Sequence, residues 1–300
     1  MRTLTPAERG FLLLTSNLGV PGRKPLTAVQ LRVLTARMER TDRKRDDREL
    51  ESRDLVTAGY GQDMAEHIVS LLGDEEILRY YLSRARKAGC VPITRATEAY
   101  PAELRRRLGS DAPGCLWAKG DTGLLATHMI ALVGSRELRQ HNEEFAREVG
   151  RQAALQGFTL VSGNARGADR AAQEACLRHG GKVISVVADS LAAHDVRENV
   201  LYLSEDDFDE EFTAQRALSR NRVIHALGMG TFVAQCRARV GGTWDGTVKN
   251  LRYGWSPVCC FRDGSESADI LVQMGARSVL FHELEDLSAL CAKEKSLFDS

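Results

Sequence analysis

The chain has 300 residues, 43% of them hydrophobic and 27% charged. That is globular composition, with length for one large or two modest domains, and it excludes a disordered or fibrous chain. The 41 basic and 41 acidic residues cancel to a formal charge of +0, so no global basic field exists and any nucleic-acid site must be a local patch.

The opening MRTLTPAERG lacks the apolar core of a signal peptide, and no later stretch has the length of a membrane span. A cytoplasmic protein away from membranes is expected. Residues 1–88 read as an N-terminal helical domain. Thr5-Pro6 with Glu8 suits a helix start, and Phe11 to Leu14 supply apolar surface. Asn17 to Pro25 is a loop, and Leu26 to Met38 carries apolar residues at helical spacing. Arg40 to Arg53 is a mixed-charge run, read as a solvated helix or link. Gly59 and Gly61 fit either a capping loop or a DNA-binding hairpin between helices, and two further helices span Glu66–Leu72 and Glu75–Ala88.

The second domain is placed at 89–300. Cys90 to Ile93 is extended, Pro101 starts a short helix, and Gly109 to Gly123 reads as a Gly/Pro-rich join. Met129 to Val133 is then a short apolar run that ends on Gly134, as a central parallel strand does. Asn142 is expected to cap the following helix. Strand and helix alternate from there. Strands are expected at Phe158–Val161, Val183–Val187, Val200–Leu203, Thr231–Ala234, Pro257–Phe261 and Ser278–Phe281. Helices are expected around Ala168–Cys176, within ALSRNRVIHALG, after Gly241-Gly242-Thr243 and at Glu266–Met274, with a closing helix over Glu283–Phe298. This alternation predicts an α/β fold with an extended Rossmann-like, doubly wound, mostly parallel sheet. SEDDFDEEF, before the arginine-rich helix, is a strongly acidic loop, either solvated or folded over the arginines as an autoinhibitory cover. The 7 cysteines include no CxxC pair and read as reduced packing residues, with no zinc site or cofactor expected; adjacent Cys259 and Cys260 should point to opposite sheet faces.

Three turns share one chemistry: Gly134-Ser135-Arg136, Ser162-Gly163 through Arg166-Gly167, and Gly241-Gly242-Thr243. Each precedes a helix, whose unpaired N–H groups and partial positive charge attract phosphate. Ser219-Arg220-Asn221-Arg222 adds two guanidinium groups at the start of another helix. Arginine is a planar, permanently charged phosphate ligand. Asp169 and Asp245 are the carboxylates beside these turns, and each reads first as a partner of its helix dipole.

These residues carry a resemblance. VGSR, SGNARGADRAAQ, SRNRVIHALG and a GGT turn, in that order, resemble the DNA-processing protein A (Smf) family. ITRATEAYPAEL and ADILVQMGA resemble the family's flanking segments, so the likeness runs from about residue 77 to 281. It implies a Rossmann-like domain that binds single-stranded DNA and helps to load a RecA-type recombinase in natural transformation, working as a homodimer and not as an enzyme. Carried over by position, Gly134, Ser135, Arg136, Ser162, Gly163, Arg166, Gly167, Arg220, Asn221, Arg222, Gly242 and Thr243 should face the ligand. The chain departs from the family at Gln173, where a His is usual, at Gln235, where an acidic residue is usual, and in the acidic segment before SRNR. It also leaves no room for the C-terminal winged-helix domain of many members; together these departures make a diverged paralogue, in phage defence or on a mobile element, a second biological setting. The alternative activity is that of a nucleotide sensor or nucleotide N-glycoside hydrolase of the wider Rossmann-like group, with Asp169 or Asp245 as the carboxylate.

Overall fold

A computed structural model describes residues 3–41 and 49–292. The helical segment comprises α1 (Pro6–Thr15), α2 (Ala28–Arg40), α3 (Ser52–Thr57), α4 (Gln62–Gly73) and α5 (Glu75–Lys87). Thr5 and Thr27 close capping boxes with Glu8 and Gln30, which satisfies amides that a helix start leaves open. Half of the charged run at Arg40–Arg53, residues 42–48, lies outside the described residues. Next come β1 (Val91–Thr94), α6 (Ala102–Leu108), β2 (Cys115–Gly120), β3 (Met129–Val133), α7 (Gln140–Leu155), β4 (Thr159–Ser162), α8 (Ala168–Arg178), β5 (Lys182–Val186) and β6 (Val200–Ser204). The chain then runs through α9 (Ala214–Ser219), α10 (Asn221–Leu227), β7 (Thr231–Val233), α11 (Gly241–Tyr253), β8 (Val258–Phe261), α12 (Glu266–Gln273), β9 (Arg277–Val279) and α13 (Leu287–Cys291).

Among the described residues, nine strands join one sheet in the order β1-β2-β6-β5-β4-β3-β7-β8-β9. From β6 to β9 every pairing is parallel, whereas β1 and β2 add on antiparallel. The expected mostly parallel, Rossmann-like sheet is therefore present. The strand β2 lies within the Gly109–Gly123 stretch that reads as a Gly/Pro-rich join, and it corrects that reading. All but its last residue are buried on both faces. The β3–β6 half winds one way and the β7–β9 half the other, so the winding reverses between β3 and β7. Open sheets of this kind hold ligands at the carboxyl ends of the strands that flank this reversal.

Side chains alternate across the sheet into two cores. Ile130 and Leu132 of β3 pack with Phe145, Leu160, Phe232 and the helices on one face; Ala131 and Val133 pack with Val161, Val223 and Ile224 on the other. Cys259 belongs to the first core and Cys260 to the second, as strand alternation requires. The first core also takes in Leu12 and Leu13 of α1 and Leu78, Tyr81 and Ala85 of α5. A separate small cluster, including Leu34, Leu55, Ala65 and Ile68, packs α2, α3 and α4 together.

Several local expectations need correction. Asn142 is not the cap of α7. Arg139 occupies that position, and buried Asn142 instead donates from Nδ2 to the Ala234 carbonyl at 2.8 Å and to Asp263 at 2.7 Å. The ALSRNRVIHALG helix is two short helices that meet at Arg220. At the C-terminal end the closing helix is reduced to a 3-10 turn, Phe281–Glu285, and the short α13, with residues 293–300 outside the described set.

The acidic segment after β6 is not a free solvated loop: most of it is fastened to the N-terminal helices, Glu205 pairs with Arg222, and Phe212 at its end stands beside Arg136. Phe208 is buried between Tyr81 and Trp117, with ring centroids 4.8 and 5.1 Å away. Tyr81 donates its hydroxyl to Asp209 at 2.5 Å, Arg84 pairs with Asp209 at 2.8 Å, and the Asn17 amide donates to Asp207 at 2.8 Å. Aromatic burial and these charge-assisted bonds fasten the segment to α1 and α5.

Candidate nucleic-acid interface

The ends of β3 and β7 open into a cleft of about 530 Å³. Its walls include Gly134, Ser135 and Arg136 from the β3 turn, Gly241, Gly242 and Thr243 from the start of α11, and Asn221 from the start of α10. The two turns are bonded directly. Thr243 donates its hydroxyl to the Gly134 carbonyl at 2.9 Å, and the Ser135 amide donates to the Gln235 carbonyl at 2.9 Å. Asn221 donates from Nδ2 to the Gly242 carbonyl at 3.1 Å, which ties α10 to α11. Glycine is demanded at two of these corners. A side chain at Gly134 would collide with Cβ of Ala168, and Gly167, at φ +89°, packs against the Ser135 and Arg136 carbonyls.

A neighbouring hollow of about 270 Å³ holds the second turn, with Gly163, Asn164 and Arg166 in its lining. Arg136, Ala165, Phe212 and Arg220 line both spaces, so they are parts of one surface. The Arg136 guanidinium stands 6.0 Å from the centre of the Phe212 ring, which is 53% exposed. Among the described residues, no carboxylate pairs with Arg136 or Arg166, while Arg237 on the same rim is paired with Glu137 at 2.9 Å. Both unpaired guanidiniums are exposed and open to an anion. Phe212, Leu218 and Val240 add an exposed apolar edge that the glycine motifs do not signal.

Not all of the expected residues reach this surface. Ser162 is fully buried, and its hydroxyl accepts from Gln173 Nε2 at 2.5 Å. Gln173 also donates to Ser185 at 3.3 Å. Gln173 thus links the ends of β4 and β5. Gln235 works similarly, accepting from the Arg139 amide at 2.9 Å and donating to the Glu137 carbonyl at 3.2 Å.

Arg220 and Arg222 part company. Two residues along a helix turn the side chain by about 200°, so the pair cannot share a face. Arg220 is 7% exposed and points under the site, donating to the Gly163 carbonyl at 2.5 Å and to the Val186 carbonyl. Arg222 points away from the cleft. It pairs with Glu205 at 2.6 Å and also donates to the Asp111 carbonyl, within a separate cavity. The expectation that it faces the same ligand does not match this placement.

Asp169 lies beneath the second turn. Its Oδ2 accepts from the Gly163 amide at 3.1 Å and the Ala165 amide at 3.2 Å. Burial pushes its pKa up to about 6 against the pull of Arg220. The Arg220 guanidinium is in turn lowered by burial and supported by Asp169. These two charges brace the turn from inside. Asp245 is paired with Lys249 at 2.8 Å on the exposed side of α11.

Residues 92–289 match the family model described as DNA recombination-mediator protein A. The DNA processing protein DprA of Streptococcus pneumoniae is 31% identical over 195 residues, 61% of this chain and 68% of that protein. Protein Smf of Escherichia coli is 31% identical over 156 residues, 48% of this chain and 41% of that protein, so this chain matches less than half of Smf's length. In solved structures, the X-ray structure of DprA from S. pneumoniae superposes with a TM-score of 0.69 at 24% identity, covering 93% of this chain and 95% of that one. DNA processing protein A from Helicobacter pylori, solved for its single-stranded DNA binding mode, gives a TM-score of 0.55 at 24% identity over 65% of this chain and 94% of its own. These two likenesses establish the fold.

Proposed function

The chain belongs to the DNA recombination-mediator protein A family, and on that premise we propose that it binds single-stranded DNA through the cleft at the ends of β3 and β7. The observation that carries this reading is the convergence of Gly134–Arg136, Gly163–Arg166 and Gly241–Thr243 on one continuous surface, with Arg136 and Arg166 unpaired there. The amides at the start of α11 and the two guanidiniums hold phosphates, and exposed Phe212 offers a face for a base. The H. pylori relative's single-stranded DNA binding supports the choice of ligand.

Of the twelve residues carried over from the family, Gly134, Ser135, Arg136, Gly163, Arg166, Asn221, Gly242 and Thr243 form the binding surface in this proposal. Gly167 and Ser162 shape it from behind, Arg220 forms part of its floor, and Arg222 serves elsewhere. The protein assists a RecA-type recombinase and works as a homodimer, as the family resemblance implies. A binding role fits the chemistry better than hydrolysis of a nucleotide. Asp169 is spent on two backbone amides beneath the turn, and Asp245 is held by Lys249. The test is a titration of labelled single- and double-stranded oligonucleotides at two salt concentrations, with nucleoside monophosphates as competitors. Preference for the single strand with steep salt dependence is expected. Equal affinity for both, or free base released from the monophosphates, would overturn the reading.

A further inference from the structure

Phe212 lines both spaces of the proposed DNA cleft, and it is 53% exposed. A ring so open to solvent keeps its place only if the backbone that carries it is held. That backbone belongs to the segment between β6 and α9, and the groups that hold it lie outside the cleft.

The fastening has two parts. In the first, Phe208 is buried against Tyr81 and Trp117, and Asp209 accepts from the Tyr81 hydroxyl at 2.5 Å and from Arg84 at 2.8 Å. Asn17 also donates from Nδ2 to Glu210. In the second, Arg216 reaches back from the first turn of α9. Its Nε donates to Asp206 at 2.7 Å, and its Nη1 donates to the Glu210 carbonyl at 2.7 Å and to the Glu211 carbonyl. A guanidinium is a rigid fork of donors, so one side chain can clip successive acceptors. Here it clips the two carbonyls directly before Phe212. Directly after Phe212, the Thr213 hydroxyl caps α9 by accepting from the Arg216 amide at 3.1 Å. The ring is thus carried between two fixed points.

Arg216 is 11% exposed at its side chain and is not among the residues that line the cleft or its neighbouring hollow. Neither are any residues of α1 to α5. We propose that Arg216 is a positioning residue for single-strand binding: it holds the backbone of Phe212, and through Asp209 the N-terminal helices set the aromatic wall of a cleft they do not touch. An anchor ordered in advance spares the strand the cost of ordering it on binding. The inference rests on the proposed DNA reading.

Hydrogen exchange of the free full chain and anisotropy titrations with labelled oligonucleotides test it together. Arg216→Met keeps the stem and removes the donors. The amides of Glu210 and Ala217, bonded to the Asp207 and Thr213 carbonyls, should then exchange about tenfold faster, with β3 and β4 unchanged. Single-strand affinity should fall roughly five- to tenfold, the share of one stacked base. The slope of log affinity against log salt should stay as in wild type. Adding Phe212→Ala should weaken binding no further, because both changes act through one ring. Asp209→Asn keeps the shape and weakens the hold of Arg84. It should move exchange and affinity the same way by smaller amounts, and it carries the test if Arg216→Met does not fold. Unchanged exchange in both variants, additive losses in the double variant, or a smaller salt slope, the mark of a phosphate contact, would overturn the proposal. A wild-type chain that binds no single strand would defeat the DNA reading and the binding role with it, whereas wild-type binding with unchanged exchange defeats this inference alone.

Discussion

The hydroxyl of Thr243 donates to the carbonyl of Gly134 at 2.9 Å, across 109 residues of sequence. One bond thereby fixes the turn after β3 against the first turn of α11, on either side of the point where the sheet reverses its winding. Thr243→Val keeps the shape and removes the donor. We expect it to cost about 1 kcal/mol of stability, seen as a lower urea midpoint, and to weaken oligonucleotide binding more than it weakens the fold. Wild-type affinity in this variant would mean that the spacing of the two turns is irrelevant to binding.

Arg136→Ala removes an exposed, unpaired guanidinium from the rim of the cleft. Affinity for single strands should drop roughly five- to tenfold whatever the base sequence, and the slope of log affinity against log salt should shrink by about 1. Fluorescence anisotropy at several salt concentrations measures both quantities. An unchanged slope would place phosphate contact elsewhere.

Arg222→Ala should behave in the opposite way. Its partner Glu205 is 3% exposed while Arg222 itself is 26% exposed. Removal leaves a buried carboxylate without its cation, at a cost of about 1–3 kcal/mol once the arginine's partial exposure is allowed for. Binding to single strands should change less than twofold. A large loss of affinity with normal stability would return Arg222 to the binding surface.

The fold carries an acid-sensitive group at His225, fully buried between Thr231 and Asn250. Burial holds its pKa down at about 3, against 6.5 when exposed. The unfolded chain thus takes up a proton that the native chain refuses, and stability falls as pH drops from about 6.5 towards 3. The loss is bounded at roughly 4–5 kcal/mol. Asp169 and Asp207, both held at about 6 by burial, act with the opposite sign, gaining stability as pH falls from about 6 to 4. The informative quantity is the difference between two chains. In His225→Gln, the loss of melting temperature between pH 6.5 and 4 should be smaller than in wild type. Parallel curves would assign the acid sensitivity to other groups.

Much of this protein could be read from local sequence. The apolar run Met129–Val133, the glycine corner after it, and the strand–helix alternation that follows determine a parallel sheet, because each strand buried on both faces must be hydrophobic throughout. The glycine turns were visible for the same reason: only glycine permits the close approaches at Gly134 and Gly167. Tertiary structure decided the rest. CLWAKG became β2 because sheet pairing with β1 and β6 outweighs its Gly-Pro flanks. Helical phase sent Arg220 beneath the turn and Arg222 to the opposite side, although they are two residues apart in one motif. The acidic segment looked like a free loop because composition records charge but not partners; Tyr81, Arg84 and Asn17 lie more than 100 residues away in sequence and reach it only once the helices have packed on the sheet. Sequence specifies which groups the chain carries and what backbone each can adopt, whereas long-range packing chooses the side of a helix, and the partner, at which each charge ends.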